Sequence, residues 1–290
     1  MVAALATACS DADAVRPSDD PGAATSAAPA PRAASPTDQH RNAAPPADQN
    51  RPAHRGFSDW DVGARPLPLR ADGFGRVLPT PRELRDRRLP TTDHLSPPPD
   101  ERFRSSISRI GPRIRDRMGT SWRPSCPVGL RDLRYVRVSF WGLDDRPHTG
   151  EVIVHRRAAH DIEHVFARLY RARFPIEGMR IATSLDLDAR PTGDGNVSGG
   201  FVCRQIRAGS SWSAHSYGLA VDINPFQNPY QRGDLVLPER ASSYLNRDRV
   251  RPGMLRPDGV VVRAFADIGW SWGGNWHTPI DYMHFSATNG

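Results

Sequence analysis

The large apolar side chains of this chain are distributed unevenly, and this limits which part of it can fold. Between Arg16 and Gly56 there is no Val, Ile, Leu, Met, Phe, Tyr or Trp, and Ala, Pro, Asp, Ser and Arg fill the stretch. Such a segment buries too little apolar surface to offset the conformational entropy lost on ordering. We therefore predict a disordered Pro/Ala-rich tail over residues 10–56.

Residues 1–9 resemble a degenerate or truncated lipoprotein signal. Cys9 follows the small residues Leu5-Ala6-Thr7-Ala8 and precedes the polar tail, but a positively charged start is missing and the apolar run is short. Either the true start lies upstream or the segment is an ordinary tail. We expect export to the extracellular space or cell envelope, with Cys9 as the candidate lipid anchor. The sequence contains no run of 18 consecutive apolar residues, so it predicts no membrane-spanning helix.

The positive charge of the chain gives little information about its partners. The net charge is +7 and all 39 basic side chains are arginines. They are dispersed among acids and prolines, without the patterns of RNA-recognition, zinc-finger or basic-zipper proteins. We therefore expect no nucleic-acid partner.

Regular structure is predicted from residue 101 onward. Residues 57–100 mix isolated apolar residues with many prolines, which predicts an extended arm that lies on the domain or leads to it. The domain itself is predicted to span 101–290. Its first element is predicted as a helix from Phe103 to Met118, kinked at Gly111-Pro112 and ended by Gly119, because apolar residues recur at steps of three and four.

The remaining pattern indicates an α+β fold. Alternating apolar residues over 136–140 and 152–154, separated by turn residues, predict a hairpin. A helical stripe predicts a helix over 159–173, and a second stripe predicts a helix capped by Asp258 and closed by Gly269. Together they predict a small antiparallel sheet with helices packed on it.

One candidate metal motif lies on the first of these two helices. His160, Glu163 and His164 spell H-x-x-E-H, the inverted zincin motif, in which two histidines bind zinc and the glutamate acts as base. On a helical projection both histidines fall about 160° from the apolar stripe. We therefore interpret them as solvated residues, and keep the inverted zincin as an alternative.

A second set of residues forms a more complete candidate site. His215 precedes Asp222 by seven residues, and residues 219–223 are strand-like, so a loop imidazole and a strand carboxylate could converge. His284 offers a third ligand, and Asp281 a nearby carboxylate that need not bind the ion. Three protein ligands with an open fourth position are typical of a catalytic zinc site.

The residues S-x-H-x-x-G-x-A-x-D from Ser213, followed by D-x-x-H-F from Asp281, resemble the zinc D-alanyl-D-alanine carboxypeptidase family. That family also contains D-Ala-D-Ala dipeptidases and L-alanyl-D-glutamate endopeptidases. The blocks at 198–204, at 222–230 and at 269–276 are similar to its VanY-like members. The resemblance covers roughly residues 126–286.

The resemblance implies a role for each matching position. His215, Asp222 and His284 would bind Zn²⁺, Asp281 would take the position of the catalytic base, and Arg204 that of the arginine facing the scissile carbonyl. Many members have Glu where this chain has Asp281.

The resemblance also implies a fold and a substrate, and it suggests roles for two nearby loop residues. Ser213 and Tyr217 would shape the loop or contact the ligands and substrate. The zinc site would lie at the sheet of a D,D-peptidase or hedgehog-like fold. The substrate would be the peptide stems of peptidoglycan, cut by a protein that we expect to be a monomer.

Two further features leave alternatives open. If Cys9 is removed or lipidated, Cys126 and Cys203 remain as a pair, which would be bridged in an oxidising compartment or buried as free thiols. Trp270, Trp272 and Trp276 are predicted to pack over the sheet, with one of them exposed at a cleft rim.

Function also has alternatives. Carboxypeptidase and endopeptidase activity are not distinguished by the sequence. A non-catalytic cell-wall-binding protein with a structural zinc is the alternative from a different class.

Overall fold

The computed structural model describes residues 56–206 and 211–288, all within one compact unit, Pro52–Gly290. The signal-like segment 1–9 with Cys9, and the predicted tail up to residue 55, lie outside the described residues. The strands are β1 Ser105–Arg109, β2 Leu133–Trp141, β3 Pro147–His155, β4 Ala220–Asp222, β5 Tyr230–Arg232, β6 Leu235–Leu237, β7 Ser271–Trp272, β8 Ile280–Asp281 and β9 His284–Ser286. The helices are α1 Pro112–Met118, α2 Ala159–Arg171, α3 Ser184–Asp188 and α4 Val260–Asp267.

The strands form three small antiparallel sheets. Their orders are β1-β2-β3, β4-β9-β7 and β6-β5-β8. The hairpin β2–β3 is the longest pairing, with Leu133 opposite His155 at one end and Trp141 opposite Pro147 at the other. The predicted hairpin and the α+β class with small antiparallel sheets are therefore confirmed.

Helices α2 and α4 enclose the main core between the sheets. The apolar stripe of α2, Ile162, Val165, Phe166 and Leu169, is fully buried against the hairpin. The ring of Phe265 on α4 stacks on that of Phe285 in β9, with centroids 4.0 Å apart. Burial of the α2 stripe is the main source of the stability of α2, because a helix of this length is only marginally stable by itself. The helix predicted over 159–173 is confirmed, with its end at Arg171.

The helix predicted from Phe103 to Met118 is wrong in its first half. Residues Ser105–Arg109 form β1, which pairs with β2 at the edge of the sheet, and the helix is confined to Pro112–Met118. Gly111 is extended and Pro112 occupies the first helical turn. Proline lacks the N–H that the first turn leaves unpaired, and it disfavours helix in the residue before it, so Gly-Pro begins a helix here instead of kinking one.

The cap predicted at Asp258 is also wrong. Helix α4 begins at Val260 with Gly259 as its N-cap, and no side chain caps it. The Asp258 carboxylate instead accepts a hydrogen bond from Arg256 Nε at 3.4 Å. Gly269 closes the helix as predicted, with a left-handed φ of 78° and its N–H donating to Ala266.

The arm residues 57–100 pack on the domain. Leu67, Leu84 and Leu89 are buried. Arg87 is 1% exposed and donates from Nε and Nη2 to Glu177 at 2.7 and 2.5 Å. The boundary drawn at residue 100 stays a prediction.

Two other expectations concern the cysteines and the tryptophans. A disulfide joins Cys126 to Cys203, with Cα atoms 5.8 Å apart, so these two are not free thiols. Trp270 and Trp272 are buried, as the predicted packing requires, but Trp276 is half-buried, so the prediction that one of the three is exposed is wrong. Within residues 56–206 and 211–288, no helix combines the length and apolar character needed to span a bilayer.

Candidate metal centre

A short 3-10 turn presents the first candidate ligand. The turn spans Ala214–Tyr217, contains His215, and ends at Gly218 with a left-handed φ of 68°. A Cβ atom on Gly218 would lie 2.5 Å from the backbone nitrogen of His155, whose N–H donates to the Gly218 carbonyl at 2.8 Å. Only glycine tolerates both the close approach and the conformation, so this residue fixes where the chain leaves the turn and enters β4.

Strand pairing brings the other two candidate ligands together. In the antiparallel register of β4 and β9, Asp222 lies directly opposite His284. One Asp222 oxygen, Oδ1, is 3.1 Å from His284 Nδ1, and the other, Oδ2, is 3.2 Å from His215 Nε2. The three side chains therefore converge on one point at the edge where the 3-10 turn meets the sheet.

A backbone carbonyl orients the ring of His215. Its Nδ1 lies 2.7 Å from the carbonyl oxygen of Gly200, which can only accept a hydrogen bond. Nδ1 therefore carries a proton, which leaves Nε2, 3.2 Å from Asp222 Oδ2, as the nitrogen that can bind a metal ion. A Cβ on Gly200 would lie 2.5 Å from the carbonyl oxygen of Ile153, so glycine is required for this approach. Gly200 was not among the residues predicted from the sequence to act at the site.

The donor set fits a divalent metal ion. One ligand atom from each of His215, Asp222 and His284 lies within 4.8 Å of the others, and both histidines are buried. Two imidazole nitrogens and one carboxylate oxygen are ligands that zinc accepts, and three protein ligands leave a tetrahedral site with one open position. Burial opposes ionisation of Asp222, but the two imidazoles lower its pKa well below the ordinary value. A permanently ionised carboxylate suits metal binding.

Asp281 lies beside this group without joining it. It is on β8, opposite Tyr230 of β5, and its Oδ1 atom is buried with no hydrogen-bond partner among the described residues. Burial, together with the negative charge of Asp222, raises the pKa of Asp281 to about 7. A buried carboxylate oxygen without a partner is costly unless it faces a ligand or water, which supports a small polar group bound here.

Arg204 lies within electrostatic range of Asp281, and its positive charge acts to lower the pKa of Asp281, against the effect of burial. Its backbone is held by Ser216, whose Oγ donates to the Arg204 carbonyl at 2.6 Å and accepts from the Arg204 N–H at 2.9 Å. Ser213 and Tyr217 were the two residues of this turn that the sequence predicted to act at the site. Ser213 is the N-cap and accepts from the His215 N–H, whereas Tyr217 is 38% exposed. Ser216 was not predicted. The signal that could have identified it is its position on the same turn, between Ser213 and Tyr217.

The inverted zincin residues are not part of any metal-binding group among the described residues. His160 and His164 are both exposed on α2, as the helical projection predicts, and His160 lies 3.4 Å from Glu163.

A cleft of about 200 Å³ opens at the candidate ligands. Its lining includes His215 and Asp222 together with Arg204, and it continues along the segments that contain Arg180, Asp186, Val197 and Phe201. A peptide bond in this cleft would reach both the metal-binding group and Arg204.

Comparison with known proteins agrees with this geometry. No curated protein and no solved structure matches the chain. Residues 207–287 match a family model described as D-alanyl-D-alanine carboxypeptidase. The matched segment contains His215, Asp222, Asp281 and His284. Arg204 and the bridged cysteines, Cys126 and Cys203, lie outside it. The match supports a metallopeptidase at the level of the family, and the resemblance to the D-alanyl-D-alanine carboxypeptidase family is confirmed over residues 207–287.

Proposed function

We propose that this protein is an exported zinc-dependent peptidase that hydrolyses the peptide stems of bacterial peptidoglycan. The observation that carries the proposal is the convergence of His215, Asp222 and His284, with Asp281 beside them, inside the segment that matches the family model. A zinc ion held by these three ligands would polarise the peptide carbonyl and make a water molecule more acidic.

The chain's own residues have complementary tasks in this reaction. Asp281 accepts the proton of the attacking water and passes it to the leaving amine. Arg204 stabilises the negative charge that develops on the carbonyl oxygen. Gly200 keeps His215 in the tautomer that can bind the ion, because its carbonyl accepts from Nδ1.

The fold and location of the protein follow from the same proposal. The D,D-peptidase or hedgehog-like fold, the monomeric state and the candidate lipid anchor at Cys9 are carried here as parts of it. The disulfide between Cys126 and Cys203 supports an oxidising compartment, since such bonds are rare in the cytosol. A protein acting on the cell wall works in that compartment.

The experiment that tests the proposal is hydrolysis of purified muropeptides by zinc-loaded protein, with products identified by mass. Loss of a terminal D-alanine would indicate a carboxypeptidase, and cleavage within the stem an endopeptidase. Asp281→Asn should keep the zinc and lower the hydrolysis rate by about 10²–10⁴-fold, because it removes the proton acceptor. Asp281→Glu should retain measurable activity, since the family accepts Glu at this position.

Two outcomes would count against the proposal. Loss of zinc in Asp281→Asn would make Asp281 a fourth ligand, and a site closed by four protein ligands is structural. Binding of muropeptides without any product, under conditions where zinc is bound, would favour a non-catalytic cell-wall-binding protein.

A further inference from the structure

The cleft at the metal ligands has a second arginine in its lining, which the proposed reaction does not use. Arg180 lies just after Met179, whose backbone bridges to Ser198. Its side chain is 24% exposed, and it lines the same cleft as His215 and Asp222. A partly buried guanidinium beside a reaction site needs a reason, because removing this group from water is costly.

Asp186 holds the guanidinium of Arg180 in one orientation. Arg180 Nη1 donates to Asp186 Oδ2 at 2.7 Å, and Nη2 donates to Oδ1 at 2.5 Å. Asp186 is itself fixed, because its Oδ2 also accepts from the backbone N–H and the hydroxyl of Thr183, both at 2.8 Å. The pair is therefore a rigid part of the wall of the cleft.

The hydrogen bonds of Arg180 leave one edge of the guanidinium free. Both Nη1 hydrogens have acceptors, since Nη1 also donates to the carbonyl of Ile181 at 3.3 Å. Neither Nε nor the second Nη2 hydrogen has an acceptor among residues 56–206 and 211–288. These two N–H groups point in parallel from one edge of the planar group, which is the geometry that binds both oxygens of a carboxylate.

Among the described residues, the other carboxylates of the cleft and near Arg180 already have partners, so none of them occupies the free edge. Glu151 is another carboxylate near Arg180. It forms an ion pair with Arg117 and accepts a hydrogen bond from the Tyr135 hydroxyl at 2.5 Å. Asp222, the second carboxylate of the lining, faces the two candidate histidine ligands, and Arg204 adds a second arginine to the lining. Asp186 neutralises the charge of Arg180 but does not occupy its free edge.

We propose that the Nε–Nη2 edge of Arg180 binds a free carboxylate of the substrate peptide, and that this contact selects peptides carrying that carboxylate over their amides. The inference rests on the proposed function, because it assumes that the cleft receives a peptide. Two carboxylates of a peptidoglycan stem have this chemistry, the C-terminal one and that of the glutamyl residue. Arg180 is thus a specificity-determining residue, separate from Arg204.

The test measures binding instead of turnover. In zinc-loaded protein carrying Asp281→Asn, dissociation constants are determined by calorimetry for three probes. These are a synthetic stem pentapeptide ending in D-alanyl-D-alanine, its C-terminal amide, and the same peptide with its glutamyl carboxylate amidated. With Arg180 present, one of the two amides should bind about 10- to 100-fold more weakly than the parent peptide, as expected for hydrogen bonds to a charged group. The probe that loses affinity identifies the carboxylate.

Substitution of Arg180 then gives the deciding comparison. The quantity compared is the ratio of the dissociation constant of the amide to that of the parent acid, called the acid-to-amide ratio. Arg180→Gln should bring this ratio close to one. Arg180→Lys keeps the charge without the paired donors, so it should leave a smaller preference for the acid. Arg104→Gln is the matched control, since it breaks another Arg–Asp pair, with Asp100, on the surface and should leave the ratio unchanged. If Arg180→Gln fails to fold by circular dichroism, the lysine variant carries the comparison.

The inference is overturned if neither amide binds more weakly than the parent peptide, if no probe binds, or if the preference is undiminished in the Arg180 variants. These results are distinct from a failure of the proposed function. Protein with Asp281 intact that hydrolyses muropeptides while Arg180 has no effect on the ratio refutes only the inference. A ratio that depends on Arg180 without any hydrolysis refutes only the peptidase.

Discussion

In addition to its buried leucines, the arm has one buried ion pair that joins it to the domain, and Arg87→Leu removes this pair. The guanidinium of Arg87 has no exposed surface and the side chain of Glu177 only 9%. Arg87 also donates from Nη1 to the carbonyl of Asp194 at 2.8 Å and lies 4.3 Å above the ring of Phe226. The substitution therefore leaves a buried carboxylate and a buried carbonyl without their donor.

The expected loss of stability is large. Breaking a buried ion pair by removing one partner costs about 3–5 kcal/mol, because the remaining charge is buried without compensation. Since 1 kcal/mol corresponds to roughly 2–4 °C for a domain of this size, the melting temperature should fall by about 6–20 °C. Urea unfolding followed by circular dichroism gives the free energy, and calorimetry the melting temperature. The double variant Arg87→Leu with Glu177→Leu should recover part of the loss, because no charge is then left buried.

The control for this prediction is the exposed pair next to it in the sequence. Arg249 binds Asp86 at 2.6 Å, with side chains 57% and 61% exposed, so Arg249→Leu should cost no more than about 1 kcal/mol. Equal small losses in Arg87→Leu and Arg249→Leu would refute the reasoning, and would mean that the arm is not held by this pair.

Three further predictions concern pH, redox state and the histidine tautomer. Burial opposes ionisation of Glu151, but its hydrogen bonds lower its pKa below the ordinary 4.5, so the free energy of unfolding should decrease as the pH falls below that value, and Glu151→Gln should flatten this dependence in acid titrations. Reducing the bond between Cys126 and Cys203 should lower the free energy of unfolding by roughly 4 kcal/mol, whereas two free thiols in protein from its native compartment would contradict the assignment. Gly200→Ala should weaken zinc affinity about 10- to 100-fold in competition with a chelator, because it displaces the carbonyl that orients His215.

Local apolar spacing explains which elements were predictable from the sequence. The α2 stripe recurs with a period close to 3.6, and Val136, Val138 and Phe140 alternate with polar residues, and both elements form as predicted. Both strands of the hairpin are nevertheless buried over long continuous runs. The segment that became β1 has the spacing of a helix, but its edge position in the sheet depends on pairing with β2, which no local pattern encodes. Long-range pairing overrode local spacing there.

The candidate site shows the same division. His215, Asp222 and His284 were predictable because metal ligands must be of these types, and a short antiparallel register brings the last two face to face. Gly200 acts through its carbonyl, so its identity does not indicate that task. Arg180 is one arginine among 39, and its place in the lining of the cleft, which the sequence does not encode locally, distinguishes it from the surface arginines.

Metal content tests the central claim most directly. Zinc per chain should be measured by elemental analysis after dialysis, in the unaltered protein and in single alanine variants of His215, Asp222 and His284, each checked for folding by circular dichroism. We predict about one zinc in the unaltered protein, loss of zinc in each of the three variants, and unchanged content when His160 and His164 are both replaced by alanine, because those two are exposed on α2. Zinc that remains in the three single variants but disappears in the His160 and His164 double variant would contradict the account.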